Sequence, residues 1–135
     1  MYVKTNTLPI PAGALIKARS SGIWPDHMGI AGPIVMGNQL VYHSTSAGVV
    51  LSSIEEFARG RVIEMVQAPF NLSHQAAILE RARTQLGRPY SLLFGNCEHS
   101  ATWAFSGDAK SPQLGRYVCG VVLGAVLSSY LARRR

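Results

Sequence analysis

Cys97, His27 and His43 are the residues whose types and setting could do covalent chemistry. Cys97 lies in Asn96-Cys97-Glu98-His99-Ser100, after Gly87-Arg88-Pro89-Tyr90 and Gly95 and just ahead of the apolar-patterned run 101–105. That context predicts a helix capped by Asn96 with the cysteine in its first turn. The partial positive charge of a helix N-terminus favours a thiolate, the nucleophilic form. An isolated cysteine at a helix start more often just packs. The histidines shift that balance, because a thiol nucleophile needs a base within hydrogen-bond reach and a third group to orient it.

The chain has four histidines. His74 falls in the first turn of a surface-patterned helix and reads as solvated. His99 is two residues from Cys97 on one helix, where side chains diverge, so it is a poor base for that thiol. His27 and His43 lie in strand-like stretches joined by a hairpin. If 32–38 is the connection, Ala31 pairs with Gln39 and His27 with His43, side by side on one face. If Gly37-Asn38 alone turns the chain, His27 pairs with Gly48 and the two separate. Taken singly, either histidine reads as a structural hydrogen-bonding residue.

Strands are predicted over 13–19, with Ala14, Ile16 and Ala18 on one face, over 27–31, over 39–44 and over 61–67, with a short apolar run at 49–51. A helical turn or two over 54–58 ends at Gly60. A longer helix capped by Ser73 runs to about Leu86 with Ile78, Leu79, Ala82 and Leu86 as its apolar stripe, and Gly87 and Pro89 stop it. In the next helix Cys97, Ala101, Ala104 and Phe105 fall at i, i+4, i+7 and i+8, the core-facing stripe. The fold class is α+β: an antiparallel sheet packed against helices on one side, the Cys97 helix against the His27 strand.

Composition bounds the partners. The chain of 135 residues is 47% hydrophobic and 15% charged, which fits one domain with an ordinary core. Its net charge of +6 includes Arg133-Arg134-Arg135, so the remaining surface is only mildly basic. No basic stripe with interleaved aromatics is present, Trp24 and Trp103 read as core, and no nucleic-acid partner is expected. Two cysteines make no disulfide framework, and Cys119, in an apolar run, reads as structural. Residues 1–7 are polar and no apolar signal core follows, which predicts a cytoplasmic protein, with export by a signal-independent route left open.

Residues 1–116 read as the catalytic unit and 117–135 as an apolar helix with a basic tail. A helix over 118–132 would span about 22 Å, short of the roughly 30 Å hydrocarbon core. Three readings stay open for it: packing on the domain, peripheral contact with an anionic membrane, or self-association through Gly120 and Gly124.

His27-Met28-Gly29-Ile30-Ala31, Val41-Tyr42-His43 and Asn96-Cys97-Glu98-His99 together resemble the lecithin:retinol acyltransferase-like family, a circularly permuted branch of the NlpC/P60 papain-like thiol enzymes. The order histidine first, cysteine last is the permuted one. Ile54-Glu55-Glu56-Phe57, Gly60-Arg61, the run 82–90, and Trp103 with Ser111-Pro112-Gln113 also resemble bacterial members, and a bacterial or phage protein would fit. The resemblance covers about residues 13–113, and Asn-Cys-Glu-His is its specific part. Two departures stand out: the two histidines are further apart than in the family's usual hairpin, and Ser100 replaces a common aromatic.

The resemblance implies Cys97 as nucleophile, His27 as general base and His43 as the group that orients it. The Cys97 N–H would supply part of an oxyanion hole. Asn96, Glu98 and His99 would hold the helix start. No cofactor or metal is implied. The reaction is a cysteine-dependent acyl transfer or hydrolysis at an ester or amide carbonyl, with a lipid acyl ester favoured. A peptidase or amidase of the NlpC/P60 type is the rival enzyme, and an idle domain binding a lipid or protein is the rival of another class.

Overall fold

The computed structural model describes residues 10–20, 26–89 and 97–107, with the side chains of Cys97 and His99 excepted. Asn96, Trp24, Cys119, Gly120, Gly124 and the whole of 117–135 lie outside the described residues. Five strands, β1 (Leu15–Ala18), β2 (His27–Val35), β3 (Asn38–Thr45), β4 (Gly48–Ser53) and β5 (Ile63–Gln67), form one sheet in the order β4-β3-β2-β1-β5. Every neighbouring pair is antiparallel. With α1 (Ile54–Ala58), α2 (Leu72–Thr84) and α3 (Cys97–Ser106), this is an α+β fold.

Strand alternation sends consecutive apolar residues into two cores. Ile16, Ala18, Ala31, Val41 and Ile63 pack with Ile54 and Phe57 of α1 on one face. Leu15, Met28 and Ile30 pack on the other against Ile78 and Ala82 of α2 and Ala101, Ala104 and Phe105 of α3. Ala14, Ile16 and Ala18 share a face as their spacing predicts, and the Cys97 helix lies against the His27 strand. The long helices are on one side, whereas α1 closes the opposite face. Coverage on both faces is why Leu15-Ile16 and Ile30-Ala31 read as unbroken apolar pairs.

Helix ends follow local chemistry. The Ser53 hydroxyl accepts from Glu56 N–H to start α1, and Arg59 ends it in the left-handed region at φ 49°. The cap of α2 is Asn71, not Ser73: Asn71 Oδ1 accepts the His74 N–H at 2.8 Å, and Ser73 lies exposed in the first turn. Both residue types cap well, and spacing alone does not choose between them. The buried stripe of α2 shrinks to Ile78 and Ala82, because the helix stops at Thr84 and Leu86 is exposed.

The β2–β3 hairpin follows neither predicted register. Its two-residue turn is Met36-Gly37, both at positive φ (52° and 79°), the geometry that matches strand twist. Near the turn Val35 pairs with Asn38 and Ile34 with Gln39. Continued unchanged, that register would set Ile30 opposite His43 and put His27 on the face away from it. A shift between Ala31 and Ile34 sets Gly29 opposite His43 instead. One extra residue inverts every side-chain direction beyond it. Gly32-Pro33 sits at the shift. Proline has no N–H to lose from the ladder, and a Cβ on Gly32 would stand 3.0 Å from the Leu40 carbonyl oxygen.

Candidate active site

The corrected register brings the two strand histidines together. His27 Nε2 and His43 Nδ1 are 2.8 Å apart, with the rings nearly perpendicular at 83°. His43 Nε2 lies 2.6 Å from Ser52 Oγ on β4, and Ser52 Oγ also reaches the Ser53 carbonyl oxygen at 3.4 Å. A chain of hydrogen-bonding groups, His27–His43–Ser52, therefore runs across three strands. Sequence reading did not single out Ser52. Its only signal was a polar residue in the β-like run before the α1 cap.

Phe57 of α1 is the floor of this chain. Its ring, itself buried, lies 5.0 Å from His27 and 5.2 Å from His43 between centroids. Gly29 makes room for it: a Cβ there would fall 2.9 Å from Phe57 Cε2 and 2.8 Å from Val41 Cγ1. An open cleft of about 370 Å³ borders His43 and Ser52, with Glu56 and Arg59 at its rim.

Both imidazoles are held neutral. Burial is the main cause for each, pulling the pKa down to about 4. Repulsion from His43, Arg59 and Arg61 adds to the effect at His27, and repulsion from Arg59 adds at His43. A neutral imidazole has one donor and one acceptor nitrogen, so the proton positions along the chain are correlated.

The N-terminus of α3 lies at the histidine end of the sheet. His27 begins β2, Thr45 ends β3 and Gly48 begins β4. The chain leaving α2 is tied there by Val49 N–H to Arg88 O and Gly87 N–H to Val49 O, both 2.9 Å. Gln85, buried, donates from Nε2 to Ser100 O at 3.2 Å. At the far end Arg81 donates to Ala104 O and Phe105 O. The helices α2 and α3 therefore run antiparallel, and the backbone of α3 starts, with Cys97, beside Gln85. The imidazoles stand on the α1 face while α3 packs on the other, so the way between them is around the sheet end, where His27 is the first residue of its strand. Glu98 is buried in the first turn of α3. The Cys97 and His99 side chains and Asn96 lie outside what is described.

His74 differs from its solvated reading. Its Nδ1 accepts the Phe70 N–H at 3.0 Å, so Nε2 carries the proton that Phe105 O accepts at 3.0 Å, and the ring stacks on Phe70 at 4.5 Å. It ties the start of α2 to the end of α3. Among the described residues no group of three His, Cys, Asp or Glu side chains is placed to hold a metal ion. No helix among them is long and apolar enough to cross a membrane.

The lecithin retinol acyltransferase family model matches residues 27–110, more than half of the chain. The stretch runs from His27 past the end of α3. Mouse lecithin retinol acyltransferase is 36% identical over 76 residues, which cover 53% of this chain and 33% of the mouse protein. The human protein of the same name is 32% identical over 99 residues, covering 68% of this chain and 43% of its own length. The match thus spans a third to somewhat under half of the length of these relatives.

Proposed function

The chain belongs to the lecithin retinol acyltransferase family, and from that premise we propose a cysteine-dependent acyl transfer or hydrolysis with a lipid acyl ester as donor. Cys97 is the nucleophile, His27 the base and His43 its orienting partner. The observation that carries the reading is the 2.8 Å His27–His43 contact at the sheet end where α3 begins. It supplies the base and the orienter of a thiol triad together, and the first turn of a helix is where a thiolate is favoured.

The steps balance on these groups. His27 takes the thiol proton, and the Cys97 thiolate adds to the ester carbonyl carbon. The oxyanion that forms is held by N–H groups at the start of α3, that of Cys97 among them. As it collapses, the C–O bond to the leaving alcohol breaks and His27 returns the proton to the departing oxygen. The acyl group is left on sulfur as a thioester. Water, or an amine acceptor, then gives a proton to His27 and attacks that thioester; the C–S bond breaks and His27 returns the proton to sulfur, which restores the thiol. The cations around His27 disfavour imidazolium in the resting site, and the thiolate offsets them once it forms.

The test is a mass measurement after incubation with a diacyl phospholipid. An acyl mass on the Cys97 peptide is expected in the parent protein and none in Cys97→Ala. His27→Ala should lower turnover by at least about a hundredfold, the usual scale of a lost general base, with the fold intact. Modification of Cys119 in place of Cys97, or an adduct unaffected by His27→Ala, would overturn the assignment. Acylation only by amide or peptide substrates would move the chain to the amidase class.

A further inference from the structure

We infer that Ser52 is a positioning residue for this reaction, one that fixes which nitrogen of His27 is free to take the thiol proton. The inference rests on the proposed base role of His27 and adds a residue that the triad does not contain. Two proton arrangements satisfy the chain His27–His43–Ser52. In one, Ser52 Oγ accepts from His43 Nε2–H, His43 Nδ1 accepts from His27 Nε2–H, and His27 Nδ1 is left unprotonated. In the other, the hydroxyl donates to His43, His43 donates to His27 Nε2, and His27 Nδ1 carries a proton. Only the first leaves a base.

One observation favours the first arrangement, and two others make the choice depend on Ser52. The Ser52 hydroxyl has an acceptor in the Ser53 carbonyl oxygen at 3.4 Å, which gives its proton a place away from His43. The Ser52–His43 contact, at 2.6 Å, is the shortest of the chain, so His43 is bound at both nitrogens and its ring cannot turn over without losing both bonds. Burial keeps both rings neutral, so the chain holds a definite set of protons for Ser52 to arrange. Removing the hydroxyl leaves His43 anchored only by His27, and either tautomer can then form. The adjoining cleft gives water access to His43 and Ser52, which makes the loss partial.

The experiment uses the full chain labelled with 15N at histidine. In the parent protein, long-range 1H–15N correlation spectra should show unprotonated Nδ1 and protonated Nε2 on both His27 and His43. Ser52→Ala should give mixed tautomers at His43 and lower kcat by about tenfold at nearly constant KM, the scale of one lost hydrogen bond in the transition state. Ser52→Thr, which keeps the hydroxyl and suits a strand, should restore both. Parental tautomers and kcat in Ser52→Ala would overturn the inference, as would a protonated His27 Nδ1 in the parent. The spectra do not need turnover. Tautomers that respond to Ser52 in a protein with no thiol activity would sink the acyl-transfer reading, and with it the catalytic meaning of Ser52, while a responsive thiol enzyme whose tautomers ignore Ser52 would sink this inference alone.

Discussion

Gly29 shows how little room the histidines have. The three nearest atoms to a Cβ at that position are Val41 Cγ1 at 2.8 Å, Phe57 Cε2 at 2.9 Å and the Tyr42 carbonyl oxygen at 2.9 Å. The last is backbone in the adjoining strand and cannot swing aside. Gly29→Ala should therefore destabilise the fold by about 1–3 kcal/mol, the usual range for overpacking, and displace the Phe57 ring on which both imidazoles rest. A denaturant midpoint lowered at unchanged m, with thiol reactivity reduced beyond the loss of folded protein, is the expected result. Parental stability would mean that β2 and β3 can separate at no penalty. In the sequence this glycine passes as one letter of a histidine motif. Its reason is steric and comes from Phe57, distant along the chain. Ser52 was hidden in the same way, since its role depends on a cross-strand neighbour that only register reveals.

At the scale of elements, the positions of strands and helices were legible and their register was not. Alternation and turn residues located β1, β3, β5 and α1 to within a few residues, because those signals are local. The meeting of His27 with His43 depends on one residue of register inside a hairpin, and Gly32-Pro33 marks an irregularity without saying how many residues it absorbs. The turn itself carries a correctable defect. Met36 has φ 52° and is 94% exposed, a conformation that asparagine tolerates and methionine does not favour. Met36→Asn creates the Asn-Gly pair that suits this turn. It should raise stability by roughly 0.5–1 kcal/mol, within the range of turn optimisation, and leave turnover alone, because the turn lies at the far end of β2 from His27. A melting curve with a parallel activity assay checks both. A gain in stability with lost activity would show that the hairpin register had slipped.

Over the whole molecule, two neutral imidazoles, His43 buried and His27 half-buried, in a chain of net charge +6 link folding to pH. In the folded state His27 and His43 have pKa values of about 4, below the ordinary 6.5 they regain on unfolding. Well above 6.5 both states leave them neutral, and they contribute no pH dependence. As the pH falls through 6.5 the unfolded chain binds protons that the folded chain refuses, so stability declines. The decline continues until about pH 4, where the folded state also takes them up. Repulsion from Arg59 at both rings, and from Arg61 at His27, is part of that refusal and is already contained in the lowered pKa values. Melting temperature should therefore fall steadily between about pH 6.5 and 4 in the parent protein, and fall less in the double variant His27→Gln, His43→Gln. Glutamine keeps hydrogen-bonding capacity at both positions and removes only the titration. Equal slopes for the two proteins would mean that the imidazoles are already charged in the folded state. A resting ion pair between Cys97 and His27 would not hide the effect, because thiolate with imidazolium binds as many protons as thiol with neutral imidazole and His43 keeps its own lowered pKa.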